Sequence, residues 1–317
     1  MSAALPSRDA IVATARESIA RGSKSFHAAS LLFAPEVRHR AWLLYAWCRA
    51  CDDLADGQDH GHALTKIADA PERLARMTAM TEAALAGEWV GDPAFDALRI
   101  VAEETRMPAG FARDLLAGFK LDAEEWRPRS ENDLYRYCYH VAGAVGCMMA
   151  IVMGMDPRDD ATLDRACDLG IAFQLANIAR DIEEDDRGGR CYLPVEWLVE
   201  MDIPPGQHMK PPFRARLAVL AKRLADRAAE YEASARAGTP KLGFRSAWAV
   251  LSAAGIYGAI GRKVAEGGEH AWDHRVTTSV AAKLGFIARA FGEAGRRARL
   301  YRGHSRDPDL WTRPRHG

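Results

Sequence analysis

The sequence predicts an all-α fold, a single domain of long helices bundled around a central cavity. Three observations predict it. Apolar residues recur at helical spacing along most of the 317 residues, with Ala, Leu and Arg abundant. Alternating, β-branched runs of the strand type are almost absent. Proline- and glycine-bearing breakers fall between the periodic stretches, and no Gly/Ser linker divides the chain.

Taken in order, the spacing predicts helices over 9–21, 36–56, 72–86, 94–106, 109–120, 131–154, 159–185, 213–236, 243–266 and 277–299. Ala34-Pro35 precedes the second and Gly91-Asp92-Pro93 the fourth, because proline suits a first turn where its missing N–H costs nothing. Met107-Pro108 opens the fifth, and Asp156-Pro157 opens the seventh. Ile203-Pro204-Pro205 and Lys210-Pro211-Pro212 keep the chain out of helix before the eighth. The sixth contains the longest nearly uncharged apolar run, the 15 residues from Val141 to Met155. A bilayer needs roughly 20. The run therefore reads as a buried helix whose glycines let a neighbour approach closely.

Composition excludes several classes of function. Lys plus Arg and Asp plus Glu tie at 43 each, so no global field recruits nucleic acid. The start, MSAALPSRDAIVATARES, has no basic stretch followed by an apolar one, so a secretory signal is not expected and the protein reads as cytoplasmic. Six scattered cysteines read as reduced thiols, and Cys48-x-x-Cys51, inside a helical run, reads as core packing. No dinucleotide-binding or P-loop glycine pattern, no G-x-S-x-G and no H-E-x-x-H occurs. From Lys283 to Gly317 nine Lys or Arg stand against three Asp or Glu. The plain reading makes 1–300 the domain and 301–317 a solvated, frayed basic tail. The sharper reading is attraction to anionic lipid.

Two carboxylate-bearing helices carry the chemistry. Asp52 and Asp56 are four residues apart and share a helix face, with Arg49 three residues earlier. Asn177, Asp181 and Asp185 place three oxygen donors along two turns of another helix, apolar upstream through Leu169, Ile171, Phe173 and Leu175. Either acidic set alone is usually a solvated face, and Glu183, Glu184 and Asp186 read as one. Two such sets together point to hard cations held between them. All-oxygen donors suit Mg²⁺, which keeps waters and completes its shell with substrate phosphates. A diphosphate neutralised in this way becomes a leaving group. The allylic cation left behind calls for an apolar, aromatic, water-excluding cavity.

These residues resemble the squalene/phytoene synthase family, head-to-head prenyl-diphosphate condensing enzymes of the all-α isoprenoid-synthase fold. Gly22-Ser23-Lys24-Ser25-Phe26 looks like the family's N-terminal substrate loop. The run from Tyr45 through Arg49 to Asp56 is similar to its first aspartate-rich motif, and Tyr137 to Gly146 to its tyrosine-bearing central helix. Gln174 to Asp185, continuing through Gly189-Arg190-Cys191-Tyr192-Leu193-Pro194, resembles its second motif and following loop. The resemblance implies that Asp52, Asp56, Asn177, Asp181 and Asp185 ligate Mg²⁺, with Mn²⁺ as the alternative. It implies that Ser23, Lys24, Ser25, Arg49, Gln174 and Arg180 hold or order diphosphate, with Arg275 a more loosely matched phosphate contact. Tyr45, Tyr137 and Tyr257 would line the reaction cavity, and Phe26 would pack near the prenyl chain. Within the family the chain looks most like the bacterial phytoene synthases. The implied reaction condenses two geranylgeranyl diphosphates to prephytoene diphosphate and then phytoene, the first committed step of carotenoid biosynthesis, without NADPH. The alternative is farnesyl diphosphate, giving presqualene diphosphate, squalene or dehydrosqualene. Met148, Met149, Met153 and Phe173 are the candidates for the cavity floor that decides chain length.

Overall fold

Helix boundaries fall where local chemistry puts them. The computed structural model describes residues 5–56 and 70–316, apart from the side chains of Lys24, Ser25 and Asp56. Among the described residues there is no strand. The α-helices are α1 (Arg8–Gly22), α2 (Lys24–Ser30), α3 (Pro35–Asp56), α4 (Ala70–Leu85), α5 (Pro93–Thr105), α6 (Ala109–Ala123) and α7 (Glu131–Cys138). They continue with α8 (Ala144–Val152), α9 (Asp160–Arg187), α10 (Val195–Glu200), α11 (Arg214–Gly238), α12 (Phe244–Gly267) and α13 (Val280–Leu300). Ser7, Asp92, Ser130, Asp159 and Ser279 each accept an early backbone N–H at the start of α1, α5, α7, α9 and α13. Each such cap contributes about 1 kcal/mol. Pro93 sits in the first turn of α5, and Ser130 and Asp133 cap α7 reciprocally.

The helices assemble around α9, which packs against α11, α8, α12 and α7. Its crossing with the α8 side is backbone on backbone. A Cβ on Gly170 would lie 2.3 Å from the Ala142 carbonyl oxygen, and one on Gly146 would lie 2.3 Å from that of Ala166. The glycines of the apolar run do permit the close approach expected of them. On the other side α1, α3 and α5 pack together, with Trp47, Phe95, Leu98 and Val101 wholly buried. Replacing Trp47 by Ala would cost about 3–5 kcal/mol. A smaller apolar cluster, Leu242, Ala247, Leu251, Ala290 and Ala294, joins α12 to α13. No helix among the described residues is long and apolar enough to cross a membrane.

Three features differ from the sequence expectation. Two short helices, α2 and α10, were not predicted, because seven and six residues are too few to show a period. The helix expected over 131–154 is interrupted by a π turn at Tyr139–Gly143, against which α6 and α9 pack. The third is the C-terminal stretch, read as a solvated and frayed tail, which is instead clasped to the bundle. Arg306 makes two hydrogen bonds to the fully buried Asp168, at 2.7 and 2.8 Å, which also accepts the Ser234 hydroxyl. Arg313, itself buried, pairs with Asp160 and Asp164, Arg315 pairs with Asp164, and His316 reaches Asp114. Three of the tail's four arginines, Arg306, Arg313 and Arg315, are thus spent on protein carboxylates.

Candidate active site

The first carboxylate set closes α3. Arg49 donates to Asp52 at 3.2 Å and also to Asp53, four residues on. Its Nε is buried with no hydrogen-bond partner among the described residues, which leaves one donor of the fork for an anion. The Asp52 side chain is half exposed. Asp56 ends the helix one turn further, and its side chain lies outside the described residues, as do those of Lys24 and Ser25. The neighbouring Cys48 and Cys51 are free thiols with apolar surroundings, and burial pushes the Cys48 thiol up to about 12. Core packing, as expected, is their role.

The second set lies on the C-terminal half of α9. Arg180 donates to Asp181 through Nε at 2.7 Å and through its terminal nitrogen. Arg275, arriving from the segment between α12 and α13, reaches the same carboxylate at 3.3 Å and bonds Glu184. Glu184 is therefore not merely solvated, and Glu183 and Asp186 have partners in Arg187 and His208. Burial, and then the Asp181 charge, raise the Asp185 carboxyl from its ordinary 3.8 to about 7. Gln174 and Asn177 are half-buried on the same face, and neither side chain has a hydrogen-bond partner among the described residues. No three His, Cys, Asp or Glu side chains among the described residues converge into a ready-made metal cage. The donors present nevertheless fit a hard divalent cation that keeps its own waters: all are oxygens, the Asn177 amide has no partner among the described residues, and one carboxylate is buried beside a like charge.

Aromatic rings join the two sets. The Phe26 ring lies 6.4 Å from that of Tyr45 and 6.1 Å from that of Tyr257, and Tyr257 stacks on Phe173 at 4.3 Å. Tyr45 leads to the nearby Arg49, and the Arg180 guanidinium lies near the Tyr257 hydroxyl. The array therefore runs from one charged end to the other. Burial raises both phenols above their ordinary value, keeping them neutral. Gly22 leaves room beside it: a Cβ there would come within 2.5 Å of the Tyr45 hydroxyl and displace that ring. Ser23 caps α2 by accepting the Phe26 N–H at 3.2 Å, which fixes the helix start that carries Phe26. Of the proposed floor residues, Phe173 faces this array, Met148 is wholly buried in the core, and Met149 and Met153 are partly buried against it.

Tyr137 stands in a second aromatic group. Its hydroxyl donates to Asp122, as does that of Tyr192, and the two rings stack. Sequence reasoning gave no role to Asp53, Asp122 or Tyr192. The available signal was that two buried tyrosines need an acceptor; the identity of that acceptor depends on the fold.

An all-α bundle that sets two aspartate-bearing helices at the ends of an aromatic array, half-buried except for the exposed Phe26, is the architecture of enzymes that ionise prenyl diphosphates, and this chain belongs to the squalene/phytoene synthase family. The model of that family, squalene/phytoene synthase, matches residues 19–282. The chain is 46% identical to the 15-cis-phytoene synthase of Enterobacter agglomerans, over 92% of this chain and 99% of that one. It is 44% identical to the 15-cis-phytoene synthase of a Paracoccus species, over 96% and 99%. Among solved structures it resembles a dehydrosqualene synthase in complex with a ligand, with a TM-score of 0.80 and 26% identity over 91% of this chain and 98% of that one. It shares the fold of a squalene synthase from Alicyclobacillus acidocaldarius, with a TM-score of 0.72 and 22% identity over 82% and 95%.

Proposed function

We propose that this chain condenses two geranylgeranyl diphosphates head to head, first to prephytoene diphosphate and then to phytoene, releasing diphosphate and using no NADPH. The observation that carries this reading is the continuous ring array Tyr45–Phe26–Tyr257–Phe173 between the Arg49/Asp52 and Arg180/Asp181 ends. Arg49, Arg180 and Arg275 bind and orient diphosphate. Gln174 supplies an amide, and Ser23, Lys24 and Ser25 close the N-terminal side. Asp52, Asp56, Asn177, Asp181 and Asp185 are the residues that would hold Mg²⁺ or Mn²⁺. When bound, the metal neutralises diphosphate charge and so makes it a competent leaving group. The rings present π faces to an allylic cation and exclude the water that would capture it.

The length of the substrate rests on similarity: 44–46% identity to named 15-cis-phytoene synthases across nearly the whole chain, against 26% to the dehydrosqualene synthase. Incubation with Mg²⁺ and either geranylgeranyl or farnesyl diphosphate, with and without NADPH, tests it. Phytoene without NADPH is the expected product. A C30 product from farnesyl diphosphate alone would move the reaction to triterpene synthesis.

We also propose peripheral contact with anionic membrane from the cytoplasm. Val280, Leu284 and Phe291 are exposed on α13, beside the exposed Arg289, Arg296 and Arg299. Flotation with anionic and with neutral vesicles tests this; equal binding to both would sink it.

A further inference from the structure

Asp122 occupies a position where a carboxylate is electrostatically expensive. It lies in the last turn of α6, at the negative end of the helix dipole, and it is close enough to Asp185 for the two charges to interact. Two phenols offset that cost. The Tyr137 hydroxyl donates to Asp122 Oδ1 at 3.0 Å, with Oδ2 at 3.2 Å, and the Tyr192 hydroxyl donates to Oδ1 at 2.9 Å. The donors come from separate parts of the chain, Tyr137 from α7 and Tyr192 from the segment after α9. Their rings stack at 4.8 Å with 18° between planes, and Trp126 stacks on Tyr137 at 5.9 Å. Arg190, two residues before Tyr192, faces Asp185. One carboxylate therefore ties α6, α7 and the loop following the second acidic set into a single aromatic wall beside Asp185.

We propose that Asp122 is a positioning residue for the condensation: it fixes the Tyr137–Tyr192 stack, and through Tyr192 the loop, so that the cationic intermediate goes on to product rather than being released or captured by water. With both phenol protons committed to Asp122, the stacked rings are held in place by a group that need not touch substrate. Freeing the carboxylate's partners leaves two mobile phenols and an untethered loop next to a reactive cation, and water gains entry. This inference rests on the prenyl-diphosphate reading above, and its signature is a change in product partition, which a merely structural role would leave alone.

The test compares wild type with Asp122→Ala, Asp122→Asn, Tyr192→Phe and the Asp122→Ala/Tyr192→Phe double variant. Geranylgeranyl diphosphate and Mg²⁺ are supplied, and phytoene, released prephytoene diphosphate and C40 alcohol are quantified by mass spectrometry beside thermal unfolding. If wild type works only on farnesyl diphosphate, the C30 counterparts are quantified. Asp122→Ala is expected to lower completed turnover about 100-fold, the scale of a small misplacement at a reacting centre. It should also raise the share of turnovers ending as released intermediate or alcohol. Asp122→Asn, which keeps an acceptor oxygen, should restore most of the wild-type partition. Tyr192→Phe should fall between, and the double variant should add little to Asp122→Ala, since the two act as a unit. If Asp122→Ala does not fold, Asp122→Asn and Tyr192→Phe still decide the matter. A wild-type partition in every folded variant, with rate loss only tracking the folded fraction, overturns the inference. Absence of any condensed product from wild type with either diphosphate overturns the prenyl-diphosphate reading itself.

Discussion

The two halves of α9 carry the same spacing of acids and meet opposite fates. Asp160, Asp164 and Asp168 recur every four residues in the N-terminal half, as Asn177, Asp181 and Asp185 do in the C-terminal half. The first three are matched by arginines from the chain's end: Arg313 and Arg315 on Asp160 and Asp164, Arg306 on Asp168. In the second set Asp181 is shared by Arg180 and Arg275, the amide of Asn177 is unpaired among the described residues, and Asp185 is pushed to about 7. Acid spacing on a helix is thus not in itself a metal signature. The distinction is whether each acid is matched by an arginine or, as at Asp185, a buried carboxyl is left beside a like charge that a bound cation would offset.

The largest expected effects come from exchanging the two halves' roles by mutation. Asp181→Ala should lower condensation by about 10²–10³-fold or more, the scale of removing a key electrostatic group. Its unfolding temperature should fall by less than that of Asp168→Ala, since relief of the like-charge repulsion with Asp185 offsets part of the lost pairing with Arg180 and Arg275. Asp168→Ala should do the reverse. Removing the buried Asp168 takes the carboxylate from the half-buried Arg306 and from the Ser234 hydroxyl, which should cost up to about 3–5 kcal/mol of stability, read by denaturant unfolding, while turnover per folded molecule stays near wild type. Equal stability losses in both variants would erase the distinction between the halves.

A smaller effect separates them by ligand. Mg²⁺ should raise the unfolding temperature of wild type and Asp168→Ala, but of neither Asp181→Ala nor Asp185→Ala. At a hundredfold excess over the dissociation constant the gain is about 2.7 kcal/mol. The smallest effect is in pH. Asp185 has its folded-state value raised from 3.8 to about 7, so its contribution to metal-free stability is intact below 3.8 and is lost as pH rises towards 7. Metal binding needs the carboxylate, so the Mg²⁺-induced gain should run the other way, larger at about pH 8 than at about pH 6. Asp185→Asn should flatten that dependence, and an unchanged dependence would remove Asp185 from the ligand set.

Much of this was legible in the sequence, for local reasons. Proline and capping residues mark the starts of α3, α5, α6 and α9 because they act within one turn. The i, i+4, i+8 spacing of Asn177, Asp181 and Asp185 is visible for the same reason. What could not be read depends on distant partners. Arg306 and Asp168 are 138 residues apart, and Arg313 and Asp160 are 153 apart. A basic tail whose partners lie that far back reads as solvated. Asp122 is one of three acids at a helix end, with Glu124 and Glu125, and only the fold brings Tyr137, 15 residues beyond it, and Tyr192, 70 residues beyond it, to its carboxylate.

The most direct measurement is the hydrocarbon made from geranylgeranyl diphosphate and Mg²⁺ by wild type, Asp181→Ala and Asp168→Ala, normalised to folded protein. Phytoene from wild type and Asp168→Ala, with almost none from Asp181→Ala, is the expected result. Wild-type output from Asp181→Ala would contradict the assignment of the C-terminal half of α9 as the place where the diphosphate is held and released.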